Sequence, residues 1–224
     1  MSSDGFARNQ VFRYSMSVAL PVGTYGTAFG ASGIANGFTV LQTCLLSLLL
    51  FSGASQFAFV GVMGAGGSAL SGIATGGLLG FRNGLYALRM SQLLQVRGIK
   101  KFIAAQLTID ESTGVALAQE ERGEAAMRYG FWATGIGVYI SWNVFTLLGA
   151  YGAQALGNPS AWGLDAAVPA AFLGLVWPRL IDKRTQVIAV MAMVLAVLLV
   201  PLVPAGVPII ATVAIALIFG WRSR

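Results

Sequence analysis

The chain has 224 residues, of which 56% are hydrophobic and 10% are charged, and its mean hydropathy is +0.75. Soluble domains carry about 25% charged residues, so the composition excludes an ordinary soluble domain and predicts an all-α polytopic membrane protein. The net charge of +6 comes from basic residues near the chain ends and between apolar runs. That distribution is typical of membrane topology and anionic-lipid contact, not of nucleic-acid binding.

Eight apolar segments follow one another along the chain. Because runs of roughly 20 apolar residues can cross a hydrocarbon core, we expect a single integral membrane domain over residues 1–224. It should have about seven to eight transmembrane segments, several of them broken. The segments cover residues 14–35, 39–66, 68–96, 102–119, 125–156, 162–180, 185–203 and 205–221.

The first six segments allow a division into two repeats of three, residues 15–99 and residues 102–185. Their offset of 87 residues places Gln56 opposite Asn143. Three spans per repeat would invert the second repeat, a layout common in secondary transporters that bind substrate at broken helices near the midplane. Residues 186–221 predict an aliphatic C-terminal helical hairpin that acts as a scaffold or packs against a partner.

The topology is open between two alternatives. Basic residues at the N-terminus, in "PRLIDKR" and in "WRSR" predict a cytoplasmic N-terminus and eight crossings, but the linker "VRGIKK" then lies outside, against the positive-inside rule. In the alternative, segment 68–96 folds back as a re-entrant hairpin broken near Arg82. In that topology the linker lies in the cytoplasm, but the second repeat would no longer be inverted relative to the first.

Polar residues interrupt the second segment at "SGASQF". Each unsatisfied backbone group in a bilayer costs several kcal/mol, so a helix breaks there only where protein or a wet cavity satisfies it. We therefore expect Gly53, Ser55 and Gln56 to line a cavity. Close helix packing is the alternative explanation for the glycines that follow.

Ionisable residues within apolar segments are costly unless they face a pathway or a partner. Arg82 and Arg89 lie seven residues apart in "FRNGLYALRM" and share a helical face with Tyr86 nearby. An arginine can hold a carboxylate through two parallel hydrogen bonds, so Arg82, Asn83 and Tyr86 are candidate substrate-binding residues. For Arg89 we expect a position at the membrane interface.

Two adjacent carboxylates, Asp110 and Glu111, lie near the centre of segment 102–119. Because the chain has no histidine, they are the best candidates for proton or ion coupling. Alternatively, they cap the N-terminus of a half-helix that runs from Ser112, and both interpretations can hold together. Asp165 is expected to be an N-terminal helix charge.

Several functions are excluded by missing residues. Without histidine there is no histidine metal site and no Ser-His-Asp catalysis, and the single cysteine, Cys44, cannot form a disulfide within the chain. No Gly-x-x-x-x-Gly-Lys-Ser/Thr loop is present. We expect no enzyme activity, no metal and no cofactor.

The motifs resemble those of the AzlC family over about residues 15–180. They are "YGTAFG", "FSGASQFAFVGVMGAGG", "FRNGLYALRMSQLL", "IDESTGVALAQ" and "GLDAAVPAAFLGLVWP", in that order. The chain departs from the family at Asn83, where members usually carry His or Tyr, and at Ile109, which separates Thr108 from Asp110. The matched site positions are Gly53, Ser55, Gln56, Arg82, Tyr86, Asp110 and Glu111.

The resemblance implies the large subunit of a bacterial inner-membrane exporter of branched-chain amino acids, and in some members of methionine, with a small hydrophobic AzlD-type partner subunit. We expect Arg82 to hold the substrate carboxylate, and Asp110 or Glu111 to take its ammonium group or a proton. Asn143 completes the candidate substrate-binding set, and Phe57, Phe59 and Val60 would form the apolar wall. A passive channel or facilitator and a non-transporting membrane scaffold are the alternatives.

Overall fold

The computed structural model describes residues 3–157, 161 and 166–221; Asp165 lies outside these ranges. Within them the chain forms helices and no strand, which confirms the all-α prediction. The helices are α1 (Ser3–Ala35), α2 (Val40–Leu49), α3 (Gly53–Gly64), α4 (Ala69–Leu94), α5 (Ile99–Gln106), α6 (Asp110–Leu117), α7 (Glu124–Ala155), α8 (Ala167–Val176), α9 (Lys183–Leu199), α10 (Val207–Ala211) and α11 (Val213–Trp221), with short 3-10 turns at Glu120–Arg122 and Trp177–Arg179.

The centre of the fold is the parallel pair α1 and α7, which have 33 and 32 residues. The two helices run in the same direction, because Val11 lies beside Gly130 near one end of the pair and Gly30 lies beside Ala150 near the other. Glycines bring the two backbones together, since a side chain at Gly30 would collide with the backbone of α7. Such close approach through small residues is the usual way in which helices associate in membranes. We call the end of the pair where α1 begins the lower end, and the end where it finishes the upper end.

Helices α2 and α3 form a re-entrant hairpin, hairpin A (residues 40–64). α2 begins at the upper end, where Thr43 packs against Gly33, and descends until the Leu48 carbonyl accepts a hydrogen bond from the Tyr139 hydroxyl. The helix breaks at residues 50–52, and α3 returns upward until Gly64 contacts Asn36. The prediction that segment 39–66 is broken is therefore confirmed.

The prediction that segment 39–66 crosses the membrane is not confirmed, because both ends of hairpin A lie at the upper end. The reason is helix length. At 1.5 Å per residue, the 10 residues of α2 and the 12 of α3 each reach about half of a hydrocarbon core roughly 30 Å thick.

Helix α4 descends through the bundle without a break. Gly76 packs against the Ser55 backbone in the upper half, Arg82 reaches Asp110 in the middle, and the Leu93 carbonyl accepts a hydrogen bond from Arg128 Nε at 2.8 Å at the lower end. The alternative of a re-entrant hairpin broken near Arg82 is therefore wrong. Gly72, Gly76 and Gly80 let α4 pack closely against Phe59 and Ser55 of α3.

Helices α5 and α6 form a second re-entrant hairpin, hairpin B (residues 99–117), which enters from the lower end. Its ascending helix ends at Gln106, whose Nε2 donates to the Leu48 carbonyl at 2.9 Å. The chain then turns at residues 107–109, and α6 descends along Gly130, which Val115 contacts. Segment 102–119 is thus broken, and Asp110 and Glu111 lie in the first turn of a half-helix. This agrees with the alternative in which the two carboxylates cap a half-helix.

The two hairpins correspond at an offset of 57 residues. This offset aligns the break at residues 50–52 with that at residues 107–109, and in the sequence it pairs Ser55 with Ser112. The helices that precede the hairpins, α1 and α4, run in opposite directions, so the two helix-plus-hairpin units are inverted. The sequence favoured an offset of 87 residues, which pairs Gln56 with Asn143 instead.

The C-terminal helices α8–α11 surround this core. Gly174 of α8 lies at mid-depth, where it lines the cavity described below. α9 and α11 are antiparallel, with Arg184 Nη2 donating to the Phe219 carbonyl at 2.6 Å. Gly206, before α10, contacts Ser71 near the upper end of α4.

The outer surface of the described helices is rich in exposed apolar side chains. On α4 these residues repeat with helical spacing, as Leu70, Ile73, Phe81, Leu85 and Leu88, and a surface of this kind fits lipid better than water. Of the described helices, Glu124–Ala155 is by itself long and apolar enough to span a membrane, and shorter apolar helices are Val40–Leu49 and Val207–Phe219.

Candidate functional site

A cavity of about 150 Å³ lies where the tips of the two hairpins meet. The described residues around it divide into a polar side and an apolar side. The polar side comes from the first turns of α3 and α6 and from the middle of α4, namely Ser52, Gly53, Ala54, Asp110, Glu111, Arg82 and Asn83. The apolar side consists of Val22, Tyr25, Phe51, Phe57, Ile109, Val138, Trp142 and Gly174.

The N-termini of both returning half-helices open onto this cavity. At the start of α3, the Ser52 hydroxyl pairs with the Ser55 hydroxyl at 3.0 Å and makes no capping bond to the helix backbone. At the start of α6, Asp110 and Glu111 occupy the first turn. Helix N-termini attract negative charge. The carboxylates of Asp110 and Glu111 thus supply negative charge at the start of α6. The start of α3 has no acidic side chain in its first turn.

An ion pair between Arg82 and Asp110 closes the polar side of the cavity. Arg82 Nη1 lies 2.8 Å from Asp110 Oδ2, and the two side chains are 35% and 28% exposed. Arg82 Nε and Asp110 Oδ1 are buried and have no hydrogen-bond partner among the described residues. Buried polar atoms are rarely left unpaired in proteins, so this pair retains capacity for a polar ligand.

Gln56 holds the break of hairpin A together from behind the cavity wall. Its Nε2 donates to the Leu50 carbonyl at 2.6 Å, and its Oε1 accepts from Trp142 Nε1 at 3.0 Å. The side chain is fully buried. The Leu50 carbonyl also accepts from the Ser52 N–H at 2.8 Å. The Gln56 amide therefore adds a second bond at the break and links hairpin A to α7.

The turn of hairpin B is held by its own hydroxyl side chains. Ser112 Oγ donates to the Leu107 carbonyl at 2.6 Å and accepts from the Ile109 N–H at 3.1 Å. The Thr108 hydroxyl donates to the Ala104 carbonyl. These bonds fix Asp110 and Glu111 at the tip of the hairpin without using their carboxylates.

Some of the predicted site residues line the cavity, and others lie beside it. Gly53, Arg82, Asn83, Asp110 and Glu111 line the cavity. Ser55 and Tyr86 lie one step away, next to Ser52 and Asp110 respectively.

Gln56 and Asn143 lie outside the lining; the Asn143 amide donates to the Tyr139 carbonyl of its own helix at 2.8 Å. Of the expected apolar wall, Phe57 lines the cavity, whereas Phe59 packs against Phe38 and Val60 is buried in the core. Arg89 lies at the surface, 3.5 Å from Glu120, as expected for an interfacial arginine.

Sequence reasoning missed the contribution of the central pair, Val22 and Tyr25 of α1 and Val138 and Trp142 of α7. These residues reach the cavity because the glycine contacts fix the register of α1 and α7. Trp142 carried a usable signal, since a tryptophan N–H buried in an apolar helix needs an acceptor. The sequence does not say that this acceptor is Gln56, because the two residues are 86 positions apart.

The described helices and their apolar outer surface fit a helical membrane protein. The family model described as AzlC protein matches residues 17–156, and the chain belongs to this family, which is associated with branched-chain amino acid transport. Searches of curated proteins and of solved structures returned no match.

Proposed function

We propose that this chain is the substrate-carrying subunit of a secondary transporter that exports leucine, isoleucine, valine and methionine, coupled to protons. The observation that carries the proposal is the Arg82–Asp110 pair, which lies at the cavity with one buried polar atom unpaired on each side chain. A zwitterionic amino acid offers one carboxylate and one ammonium group, which are the two partners that this pair lacks.

Binding would exchange one ion pair for two. The substrate carboxylate would take the Arg82 guanidinium and the uncapped N-terminus of α3, where an anion is favoured. The substrate ammonium would take Asp110. Because charged groups at membrane depth are costly unless paired, both side chains gain a full set of partners only with a zwitterion bound. Hairpin A and hairpin B would then move relative to each other around the ligand, as in other transporters with broken helices.

The apolar side of the cavity would receive the substrate side chain. Phe51, Phe57 and Trp142 border this region together with Val138. An apolar wall discriminates poorly between hydrocarbons that differ by one methylene, which is worth about 1–3 kcal/mol. Leucine, isoleucine, valine and methionine are therefore expected to share the site.

Glu111 is the proposed proton carrier. With both carboxylates ionised, the cavity holds two negative charges and one positive charge, and a zwitterion leaves that balance unchanged. One proton on Glu111 would neutralise the site before the hairpins rearrange across the apolar core. Asp110 is held by Arg82, so Glu111 is the carboxylate that remains free to exchange the proton.

The proposed topology is a multi-pass protein of the bacterial inner membrane with the lower end in the cytoplasm. With hairpin A re-entrant, the linker containing Arg97, Lys100 and Lys101 lies at the same end as the N-terminus of α1, so the positive-inside rule is satisfied. The eight apolar segments then comprise six crossings and two re-entrant hairpins, in place of the seven to eight crossings expected. α9 has no buried residue in this chain, which supports lipid or an AzlD-type small subunit as its neighbour.

Transport by reconstituted protein tests the proposal. Proteoliposomes that contain this chain with its small partner are loaded with labelled leucine, and efflux is measured with and without a pH gradient. We expect the gradient to accelerate efflux, Asp110→Asn to abolish all leucine movement, and Glu111→Gln to abolish the gradient's effect while exchange persists. Arg89→Gln is the matched control.

The alternatives give different outcomes. Leucine efflux that ignores the gradient in the wild type would favour a passive facilitator. No efflux under either condition, together with normal assembly of the small subunit, would favour a scaffold.

A further inference from the structure

Two buried hydroxyl groups lie between α1 and α7, just below the cavity. Ser15 Oγ and Thr134 Oγ1 are fully buried, and neither has a hydrogen-bond partner among the described residues. A serine or threonine hydroxyl in a helix usually donates to a carbonyl one turn earlier, as Thr75 does to Ser71 here. Two hydroxyls that forgo this bond in the same interface need an explanation.

The helix register places the two hydroxyls at the same depth. Val11 of α1 contacts Gly130 of α7, and Ser15 and Thr134 each follow by four residues, one turn higher on the same faces. Above them, Ala19 accepts a hydrogen bond from Ser141 through its carbonyl at 3.2 Å. The register of α1 against α7 therefore places Ser15 and Thr134 at the same depth along the interface.

The hydroxyl pair lies in line with the cavity. Val138, one turn above Thr134, and Val22, two turns above Ser15, both line the cavity. Glu111 is one turn above Val115 on α6, and Val115 contacts Gly130. Glu111 thus begins one turn above the point where α6 packs on α7, and it lines the cavity.

A polar groove opens below the hydroxyl pair, at the lower end. This vestibule has a volume of about 520 Å³ and is lined by Gln10, Arg13, Tyr14, Gln119, Glu121 and Arg122. Gln119 is its deepest polar side chain, since it is 3% exposed and its Cγ lies beside Gly130. Gln119 lies two residues beyond the end of α6, and Glu111 lies in the first turn of that helix. The eight residues of α6, about 12 Å along the axis, therefore separate the vestibule from Glu111.

We propose that Ser15 and Thr134 form a binding site for water that relays protons between the vestibule and Glu111. This inference rests on the proposed proton coupling and adds its route. A proton would pass from solvent at Gln119 to water held by the two hydroxyls and then to the Glu111 carboxylate, which becomes neutral. Each hydroxyl both donates and accepts, so the pair can pass a proton without gaining charge. The charged and titratable groups that face Glu111 at the cavity are Asp110 on α6, Arg82 on α4 and Tyr25 on α1; the lining residues of α3 and α7 bring none.

The test separates proton flux from substrate movement. Proteoliposomes are given leucine on one side, and a pH-sensitive dye reports proton flux while labelled leucine reports exchange. We expect Ser15→Ala/Thr134→Val to slow leucine-dependent proton flux by about tenfold or more while leucine exchange stays at the wild-type rate. Thr134→Ser retains the hydroxyl and should retain proton flux. Thr75→Val removes an equally buried hydroxyl elsewhere and is the control.

A second readout is stability. If the site holds water, Thr134→Val removes a satisfied hydroxyl and lowers the melting temperature relative to wild type, as Thr75→Val should do at a hydroxyl that is bonded to Ser71. A dry, unpaired hydroxyl would instead give a melting temperature above that of wild type when it is removed.

Full proton flux in the Ser15→Ala/Thr134→Val variant, or a parallel fall of flux and exchange, would overturn the relay while leaving the transporter assignment intact. No leucine-dependent proton flux in the wild type would overturn the proton coupling and the relay together.

Discussion

Trp142 Nε1 donates a 3.0 Å hydrogen bond to Gln56 Oε1, which joins the middle of α7 to the break of hairpin A. The same amide donates to the Leu50 carbonyl at 2.6 Å. Gln56 thus completes the hydrogen bonding of two groups that lipid could not satisfy. A residue of this kind determines whether the hairpin tip stays formed.

Gln56→Leu should therefore destabilise the protein by about 1–3 kcal/mol, because it leaves the Trp142 N–H buried without a partner and removes one of the two hydrogen bonds that the Leu50 carbonyl accepts. The measurement is unfolding of the purified protein in detergent. Asn143→Leu is the control, because the Asn143 amide bonds within its own helix and its loss should cost less. A stable Gln56→Leu protein that fails to bind leucine would contradict this assignment and return Gln56 to the substrate site.

Arg82→Lys should weaken leucine binding by about tenfold, although the positive charge is kept. A lysine ammonium cannot offer the planar pair of N–H groups that a carboxylate accepts together with the Asp110 bond. Equilibrium binding of labelled leucine measures the effect. Arg89→Lys is the control, since Arg89 is more than half exposed and 3.5 Å from Glu120. Equal affinities in Arg82→Lys and wild type would show that the guanidinium does not hold the substrate.

Gly149→Ala should lower the free energy of unfolding by about 1–3 kcal/mol, because the new methyl group would meet the Thr27 carbonyl at the α1–α7 interface. Gly84→Ala, on α4, has nothing within 4 Å of the new methyl group. It should be neutral or stabilising by up to about 1 kcal/mol, since alanine favours a helix. Unfolding of the two variants side by side measures the difference, and an equal effect of both would contradict the close approach of α1 and α7.

Much of the fold could be predicted because composition and polar interruptions are local properties. The apolar runs predicted membrane helices, and "SGASQF" predicted the break in hairpin A. The return of the hairpin could not be predicted from the run itself. Residues 39–66 are long enough to cross, and only the contacts of Thr43 and Gly64 with α1 establish that both ends lie together.

The candidate site likewise contains residues that local sequence predicts and residues that only tertiary packing places. Arg82 and Asp110 were identified because charges in apolar segments are rare, and both line the cavity. Trp142 and Val22 were missed because their positions depend on the register of α1 against α7, which small residues set through tertiary packing. A glycine-rich pattern predicts that a helix packs closely against another helix, but it does not predict which helix that is.

The N-terminus of α9 should loosen on acidification. Asp182 accepts hydrogen bonds from the Thr185 hydroxyl at 2.6 Å and from the Thr185 N–H at 2.8 Å. These bonds, that of the hydroxyl first, hold the pKa of the Asp182 carboxyl below its ordinary value. A lowered pKa in the folded state means that the cap is fully effective above the ordinary value near 4 and is lost as the pH falls through the folded value.

Hydrogen exchange in the first turn of α9 measures this loss. We expect faster exchange at about pH 3 than at about pH 6, after correction for intrinsic rates. Asp182→Asn is the reference, since its amide oxygen can cap the helix but does not titrate in this range. The same pH dependence in both proteins would rule out the Asp182 cap as the cause.

The linker after α4 should be labelled from the same side of the membrane as the N-terminus. Hairpin A enters and leaves at the upper end, so α1 and α4 are the two crossings that separate the N-terminus from Lys100. With Cys44 replaced by alanine, Lys100→Cys should react with a membrane-impermeant thiol reagent in inside-out vesicles and not in intact cells. Asn36→Cys, at the upper end beside Gly64, should show the opposite pattern. If both positions reacted from the same side, hairpin A would have to cross the membrane, and the proposed meeting of two hairpin tips at one cavity would fail.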